Sequence, residues 1–418
     1  MTENLANKIK QQLPSGLVDF LRQAGEIADE KGQHLYLVGG VVRDLLLERA
    51  NLDLDLVLEG NAITLARQLA AITEGKLTIH KHFGTATIKW DDGRADLSTA
   101  RNERYSHPGA LPTIRPDSIE IDLARRDFTI NAMAVSLSPN DYGRLIDPYW
   151  GRDDLNQGLI RILHRRSFID DSTRIWRGLR YEQRLNFNLE HGTLRQLKRN
   201  SPMLQTISGD RLRHELELIL KEEIPEKVLL RTGELNVLPG LHPSLKADQW
   251  LTEKFVKARR ITQASPSVYM ALLTYRLKSR ENEKFISSLN INKSLTKILR
   301  DSHFLKGKMK PLSDPALAPS HVFKLVHNYS PTALTVNSMA TDSPTAEQHI
   351  RTYLTRLRNI KPTLNGNDLK EMGVTSGPRI KAVLQLLLDA QLDGEVTTKK
   401  GEEKMVRDWV KSRPTPPA

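Results

Sequence analysis

The sequence contains no cysteine and no long apolar run. Without Cys among its 418 residues, the chain cannot form disulfides, thiolate zinc sites or cysteine nucleophiles. No stretch approaches the roughly 18 apolar residues that a membrane helix needs. The first residues also lack the basic and then apolar plan of a signal peptide. We therefore expect a cytoplasmic protein that does not associate with membranes.

Aromatic residues are also few, at 6%, but hydrophobic residues reach 39%, enough for sizeable cores. The length allows roughly two to four domains. Lys and Arg number 62 against 50 Asp and Glu, which gives a formal net charge of +12. A basic surface attracts polyanions. Nucleic acid is therefore the leading partner, and no pattern points to an obligate protein partner.

A glycine turn between a strand and a helix is the first motif that indicates chemistry. The apolar run His34–Val38 predicts a strand, Gly39 and Gly40 follow it, and a helix is predicted over Val41–Arg49. Glycines have no Cβ, so backbone amides can approach phosphate oxygens at the start of a helix. Arg43, in the first helical turn, is well suited to an anion. The segment predicts a phosphate-binding turn.

Two carboxylates follow in the next predicted strand, Leu52–Val57. Side chains alternate along a strand, so Asp53 and Asp55 point the same way, with Cα atoms roughly 6.5–7 Å apart. Mg²⁺ prefers oxygen ligands and often takes one or two carboxylates together with substrate phosphates. We predict that both bind Mg²⁺. Asp96, in a later strand at Arg94–Ser98, is a candidate third carboxylate that accepts a proton or completes the metal site; a solvated strand face is the alternative.

Other elements of the first hundred residues predict a small mixed sheet. They are helices over Leu17–Lys31 and Ala62–Ile72 and strands near Leu77–His80 and Thr85–Trp90. The following segment, Arg101–Pro116, is rich in Pro, Gly and polar residues and shows little periodicity. It predicts a long loop over the functional edge of the sheet, of the kind that often forms a lid or a binding loop.

Charged residues interrupt an otherwise apolar segment after this loop. They are Arg125, Arg126, Asp127 and Asn131. Arginine binds phosphates in a bidentate manner, whereas Asp and Asn suit ribose hydroxyls or orient the arginines. The segment therefore predicts nucleotide contacts, although a solvated helix face would give the same pattern.

The motifs together resemble those of the class II tRNA nucleotidyltransferase and poly(A) polymerase family, in the polymerase β superfamily. Motif A of that family matches the glycine turn with Arg43-Asp44 and the Asp53/Asp55 pair, and motif B matches Arg125–Met133. Three further motifs match in order, namely motif C at Asp147–Gly151 with Asp154 and Arg161, motif D at Asp170–Arg174, and motif E at Asp210–Glu215. The resemblance covers roughly residues 35 to 220.

Motif D implies how a base is chosen. Asp171 and Arg174 lie three apart in a periodic stretch, Asp171–Leu185, which predicts that they share one helical face. The resemblance implies that this pair replaces a nucleic-acid template. Asp offers acceptors and Arg offers donors, and the edges of C and A each present an amino donor beside a ring-nitrogen acceptor. The pair would accept C and A and reject G and U. A surface ion pair is the alternative.

Supporting roles in the neck are assigned to Asp170, Arg177, Arg180, Arg211 and Glu215. Asp170 stands where Glu is usual in motif D, and motif E also begins with Asp instead of the common Glu. Arg177, Arg180 and Arg184 continue at helical spacing from Arg174, and some of them are expected to face nucleotide or RNA phosphate. Arg211 and Glu215 lie at i,i+4 spacing in one predicted helix, Asp210–Lys221, which predicts an ion pair within or between neck helices that braces the templating helix.

The resemblance implies an α+β protein. A small mixed-sheet nucleotidyltransferase head is expected at residues 1–150, followed by an all-helical neck (151–225), body (226–310) and tail (311–418) that binds tRNA. Helices beyond the neck are predicted over Lys227–Leu238, Leu251–Ala264, Pro266–Leu277, Glu281–Leu289, Lys293–Leu305, Thr345–Arg358 and Gly377–Asp393. The implied activity is addition of C and A from CTP and ATP to the 3′ end of tRNA, which yields CCA and releases pyrophosphate.

Other activities stay open at this point. A specialised enzyme that adds only CC or only A would keep all five motifs, and Tyr105–Pro112 resembles longer loops of some specialised relatives. A poly(A) polymerase is a further alternative. A non-catalytic RNA-binding module on this scaffold would have no need of Asp53 and Asp55, so the intact pair argues against it.

Overall fold

The computed structural model describes residues 4–104, 106–107, 112–261, 265–374 and 377–412. Its contacts divide the chain into two compact units, Met1–Gly240 and Leu241–Ala418. The first unit combines a sheet with helices, and the described part of the second is helical. This confirms the α+β class, whereas the division into head, neck, body and tail stays a prediction.

Strands of the first unit alternate with short helices. The strands are β1 His34–Val38, β2 Leu54–Glu59, β3 Lys76–His80, β4 Thr85–Trp90, β5 Gly93–Thr99, β6 Arg101–Arg104, β7 Thr113–Pro116, β8 Ala134–Ser136, β9 Leu145–Ile146, β10 Leu159–Ile160 and β11 Asn188–Leu189. The helices are α1 Ala6–Gln12, α2 Ser15–Asp29, α3 Gly40–Leu46, α4 Ala62–Ile72, α5 Ile119–Ala124, α6 Gly151–Gln157, α7 Ser167–Asp170, α8 Thr173–Leu185, α9 His191–Asn200, α10 Gly209–Ile219 and α11 Pro225–Glu234. Single 3₁₀ turns lie at Lys81–Phe83, Thr129–Asn131, Pro139–Asp141, Ser201–Thr206 and Leu238–Gly240.

Seven strands form the main sheet, in the order β3-β4-β5-β2-β1-β8-β9. Strands β2 and β5 run parallel, and the other neighbours are antiparallel. The register pairs Asp55 with Asp96, so the predicted neighbourhood of these two strands is observed. Helix α2 covers β1 with buried Leu17, Leu21 and Ala24, spaced as one face of a helix.

The long loop predicted over Arg101–Pro116 is wrong at both ends. Strands β6 and β7 pair antiparallel, with Arg101 opposite Pro116 and Arg104 opposite Thr113. Pro116 is tolerated because it ends an edge strand, where its missing amide removes no ladder bond from a central strand. The predicted loop residues 105 and 108–111 lie outside the described residues.

Two helix boundaries and one strand boundary also differ from the prediction. Helix α8 begins at Thr173, whereas Asp171 is extended (φ −142°, ψ 99°), so the predicted shared helical face is wrong. The reason is local: an Asp171 carboxylate oxygen accepts from the Thr173 backbone amide at 3.0 Å, a contact that competes with helix formation. Asp53 directly precedes β2 instead of lying within it. Helix α3 ends at Leu46, before Glu48 turns to φ 56°.

The second unit contains eleven described helices. They are α12 Gln249–Ile261, α13 Pro266–Thr274, α14 Ser279–Ser288, α15 Lys293–Leu305, α16 Met309–Leu312, α17 Pro319–Val326, α18 Pro331–Ala340, α19 Pro344–Thr355, α20 Gly366–Glu371, α21 Gly377–Asp393 and α22 Lys399–Ser412. Short 3₁₀ turns lie at Lys306–Lys308 and Leu357–Asn359. No helix among the described residues combines the length and apolarity that crossing a membrane requires.

Two apolar clusters stabilise this unit. One cluster packs helices α15, α17 and α19 together through Leu305, Val326 and Ile350. The other lies near the C-terminal end around Leu387 and Val406. Next to it the fully buried Glu402 carboxylate accepts backbone amide bonds from residues 363 and 364 at 2.9 and 2.8 Å, so its burial is compensated by hydrogen bonds.

Candidate active site

A cleft of about 950 Å³ opens in the first unit. The glycine turn, β2, β4, β5, the segment after α5, and helices α8 and α10 contribute to its walls. The predicted site residues that line it are Gly39, Gly40, Arg43, Asp53, Asp55, Asp96, Arg125, Arg126, Asp127, Asn131, Asp171, Arg174, Arg177, Arg211 and Glu215. Asp170 and Arg180 are not among the lining residues. Positions up to 176 apart in the sequence therefore share one cavity, from Gly39 to Glu215.

Three carboxylates line the strand side of the cleft. Asp55 of β2 is paired with Asp96 of β5 in the parallel ladder, and Asp53 directly precedes β2. Partial burial at the cleft, together with the charges of Asp96 and Asp53, raises the pKa of Asp55 to about 6, although Arg126 opposes the shift. Such crowding of like charges favours a cation between them.

Asp96 differs from the other two because both of its oxygens already have donors. Arg94 donates to Oδ2 at 2.7 Å, and the Thr87 hydroxyl donates to Oδ1. No group of three or more His, Cys, Asp or Glu side chains is close enough to hold a metal by itself among the described residues. The donor set therefore fits a cation that takes Asp53 and Asp55 and completes its shell with phosphate and water oxygens, as Mg²⁺ does.

The glycine turn is fixed by backbone conformation and by space. Gly39 has φ +74°, which other residues rarely adopt, and a Cβ there would lie 2.8 Å from NH1 of Arg126. At Gly40, a Cβ would meet its nearest atom, NH2 of Arg43, at an ordinary 3.7 Å. Only the first glycine is therefore required by the geometry.

Arg43 is buried beside the cleft and held on two sides. Its Nε and NH2 donate to the two carboxylate oxygens of Asp44 at 2.8 Å, and NH1 donates to Asn131 at 2.8 Å. The remaining N–H groups can serve an anion.

A continuous set of hydrogen bonds leads from Arg43 to helix α8. Asn131 donates to Asp127 at 3.0 Å, and Asp127 accepts from Nε and NH2 of Arg177 at 2.8 and 2.6 Å. Burial acts to raise the pKa of Asp127, but the Arg177 charge and the hydrogen bonds outweigh it, so the pKa falls to about 2. The predicted ribose ligands Asp127 and Asn131 therefore connect the glycine turn to α8.

Motif B arginines are anchored by two acids that sequence reasoning missed. Asp122, fully buried, binds Arg125 at 2.6 Å and Arg126 at 3.1 Å, and Glu103 of β6 accepts from Arg125 at 2.9 Å. The spacing of Asp122, three and four residues before the arginines, was a signal that could have revealed it. Glu103 had no such signal, since 22 residues separate it from Arg125.

The motif D residues do not bind each other. Oδ1 of Asp171 accepts from the amide and hydroxyl of Thr173 and from NH2 of Arg211, the last at 2.7 Å. NH2 of Arg174 donates to the Arg125 carbonyl at 2.5 Å. Among the described residues, the hydrogen bonds to the Asp171 carboxylate all go to Oδ1, and the buried NH1 of Arg174 has no hydrogen-bond partner.

The motif E ion pair is predicted either within one helix or between neck elements, and the structure shows pairs between elements. Arg211, in the first turn of α10, forms an ion pair with Asp171, whose extended backbone lies between α7 and α8. Glu215 instead lies 4.0 Å from Arg180, and burial raises its pKa against the charges of Arg177 and Arg180. Motif E therefore supports the motif D carboxylate directly.

Two other residues with predicted supporting roles, Asp170 and Arg180, form ion pairs away from the cleft lining. Asp170 binds Arg166 at 3.3 Å, in the preceding turn. Arg180 is buried and has Glu222 at 3.5 Å. Arg184, the last of the three basic positions predicted along this helix, lines the cleft and donates to Glu222 at 2.9 Å.

Comparison with known proteins adds two family matches. Residues 35–161 match the family described as the poly(A) polymerase head domain, and residues 186–249 match one described as a probable RNA and SrmB-binding site of polymerase A.

Relatives and solved structures match over most of the chain. The A-adding tRNA nucleotidyltransferase of Halalkalibacterium halodurans is 33% identical over 98% of this chain and 96% of its own length. That of Geobacter sulfurreducens is 34% identical over 95% of this chain but 47% of its own length, so the chain spans about half of that relative. The Thermotoga maritima CCA-adding enzyme complexed with tRNA aligns with a TM-score of 0.78 at 31% identity, covering 98% of this chain and 99% of that one.

Proposed function

Because the chain belongs to the tRNA nucleotidyltransferase and poly(A) polymerase family, we propose that it builds CCA at the 3′ end of tRNA. In this reaction, C and A residues come from CTP and ATP without a nucleic-acid template, and pyrophosphate is released. The coarser activity, that of a tRNA nucleotidyltransferase, follows from family membership.

The observation that carries the proposal is a pair of motif D atoms for which no hydrogen bond is seen among the described residues. An acceptor, Oδ2 of Asp171, and a buried donor, NH1 of Arg174, both belong to residues that line the cleft. C and A each present an amino donor and a ring-nitrogen acceptor, which an acceptor and a donor on the protein can match. G and U instead present a carbonyl acceptor beside a ring N–H donor, so the positions of donor and acceptor are exchanged.

The reaction end of the cleft would bind the triphosphate through a divalent cation, which nucleotidyltransferases of the polymerase β type generally use. We propose Mg²⁺ on Asp53 and Asp55, where it would neutralise phosphate charge. Arg43, Arg125 and Arg126 would hold and orient the phosphates. The RNA 3′-hydroxyl then attacks the α-phosphate as the bond to the β-phosphate breaks, and positioning supplies much of the rate.

Asp96 has two possible roles in this scheme. It lies beside Asp55 and holds Arg94, so it can either accept the proton of the 3′-hydroxyl or complete the cation site. The second unit, which covers the predicted body and tail, would bind the rest of the tRNA.

A second candidate is addition of A only. Two relatives that are 33% and 34% identical to this chain are A-adding enzymes, and the sequence segment Tyr105–Pro112 resembles the longer loops of some specialised relatives. Both candidates share the same cleft, so the product must distinguish them.

The test uses the full chain with Mg²⁺, labelled CTP or ATP, and three tRNAs that end before CCA, after C, and after CC. Products are resolved at single-nucleotide length. The proposal expects two C residues and then one A, with no further growth. Addition of A to the CC-ending tRNA alone would establish the second candidate, and long A tails would indicate a poly(A) polymerase. Tight tRNA binding without any incorporation would overturn the enzyme proposal.

A further inference from the structure

Four arginines surround one aromatic ring at the wall of the cleft. The guanidinium carbons lie 5.1 Å (Arg180), 5.3 Å (Arg43), 5.9 Å (Arg177) and 6.0 Å (Arg184) from the centroid of the Tyr181 ring. Tyr181 itself is 9% exposed and lines the cleft. One ring therefore contacts the positive charges of two different elements.

The four charges are compensated unequally. Carboxylates lie close to three of them: Asp44 at Arg43, Asp127 at Arg177, and Glu222 at Arg184. Arg180 is buried with carboxylates no nearer than 3.5 Å, and its Nε has no hydrogen-bond partner among the described residues. Its guanidinium is also the one nearest to the ring. The negative face of an aromatic ring attracts such a cation most strongly where water is excluded.

The ring also joins the two elements that carry these arginines. Arg43 comes from α3, behind the glycine turn, whereas the other three come from α8. Phe128 packs edge-on against Tyr181, with ring centroids 6.0 Å apart at 84°, which fixes the orientation of the ring. A fixed ring between two elements can hold a side chain of one against the other.

We propose that Tyr181 is a positioning residue for the triphosphate. Its ring holds Arg43 beside the arginines of α8, so that the phosphates meet an assembled positive wall. Without the ring, Arg43 and Arg180 would lose a partner while the repulsion among the four guanidiniums stayed. This inference rests on the proposed function, because it assumes a nucleoside triphosphate as substrate.

Substitutions at position 181 can separate the contributions of the ring face, the bulk of the side chain and the hydroxyl. If the ring face holds the arginines, Tyr181→Phe keeps the effect and Tyr181→Leu loses it. Fluorinated phenylalanines at position 181 keep the shape but progressively weaken the negative face, so they separate electrostatics from packing. Tyr269→Leu is the matched control, because Tyr269 is a similarly buried aromatic of the second unit, packed on Phe255.

The experiment measures binding of ATP and of inorganic tripolyphosphate to the full chain by titration calorimetry, without tRNA. We expect Tyr181→Leu to weaken both ligands by about fivefold or more, and Tyr181→Phe to restore most of the loss. Affinity should fall in order with each added fluorine. The C and A preference should not change, since the base edge is not involved. Tyr269→Leu should lower thermal stability but leave both affinities as in the wild type.

Several results would overturn the inference. They are wild-type tripolyphosphate affinity in a folded Tyr181→Leu, equal losses in the Phe and Leu variants, or no trend along the fluorinated series. The fluorinated series decides the matter even if Tyr181→Leu fails to fold. Failure of the wild type to bind ATP at all would instead contradict the proposed function.

Discussion

The proposed reaction end of the cleft (Gly39, Asp53, Asp55 and Asp96) and its proposed template end (Asp171, Arg174 and Arg211) are built in different ways. Backbone pairing sets the reaction end, where the β2–β5 ladder places Asp55 beside Asp96. Side-chain hydrogen bonds set the template end, where Asp171 depends on Thr173 and Arg211. A ladder allows one register, whereas a side-chain contact can be removed by itself. We therefore expect that transfer and base choice can be separated by mutation.

Asp53→Ala tests the reaction end and has the largest expected effect. Loss of a proposed cation ligand should reduce nucleotide transfer on the order of a thousandfold, while the preference for binding CTP and ATP over GTP and UTP persists. Primer extension and nucleotide binding measure the two quantities. Asp92→Ala, an exposed Asp on the neighbouring turn, is the control. If base preference fell together with transfer, the two ends would not be independent.

Arg174→Ala tests the template end. Transfer should survive, but discrimination against G and U should fall by about 1–3 kcal/mol, the range for one good base-edge contact. Competition among the four triphosphates measures this ratio. The exposed Arg166, paired with Asp170, provides a control in Arg166→Ala. Full selectivity in Arg174→Ala would remove the basis for a protein template.

Asp127→Asn tests the link between the two ends. A pKa of about 2 against 3.8 means that the charged form stabilises the fold by about 2 kcal/mol. Since the folded-state pKa is lowered, this stability is present above pH 4 and is lost as the pH falls toward 2. Urea unfolding should therefore show a less stable variant at pH 7 and convergence with the wild type on acidification. A constant difference across that range would contradict the assigned cause.

Arg211→Ala should have the smallest effect. Asp171 keeps its Thr173 contacts but loses one of three donors, so selectivity should fall by roughly threefold to tenfold, as for a partly exposed charged hydrogen bond. Arg213→Ala, two positions further along α10, controls for helix stability. An effect as large as that of Arg174→Ala would show that Arg211 contacts the base itself.

Local patterns predicted the elements of the first unit well where one face is apolar. Strands β1 and β4 and helix α4 have the predicted bounds, as do α15 and α21 of the second unit. Periodicity found them because burial of one face repeats along the chain. Helices α17, α18 and α22 were not predicted, and of these α18 shows no single repeating apolar face, because its buried residues lie around most of the helix. The cytoplasmic location and the roles of the site residues stay predictions.

What the sequence determined by itself is which chemical groups are available and in what order: a glycine turn, a pair of carboxylates, arginines of motif B and an Asp/Arg pair. Their spacing is short, so local rules suffice. Only the tertiary structure decided which of them touch. Asp171 accepts a hydrogen bond from Arg211, 40 positions away in the sequence, and Arg125 donates one to Glu103, 22 positions away. No local period encodes such contacts, because folding of the whole unit brings the partners together.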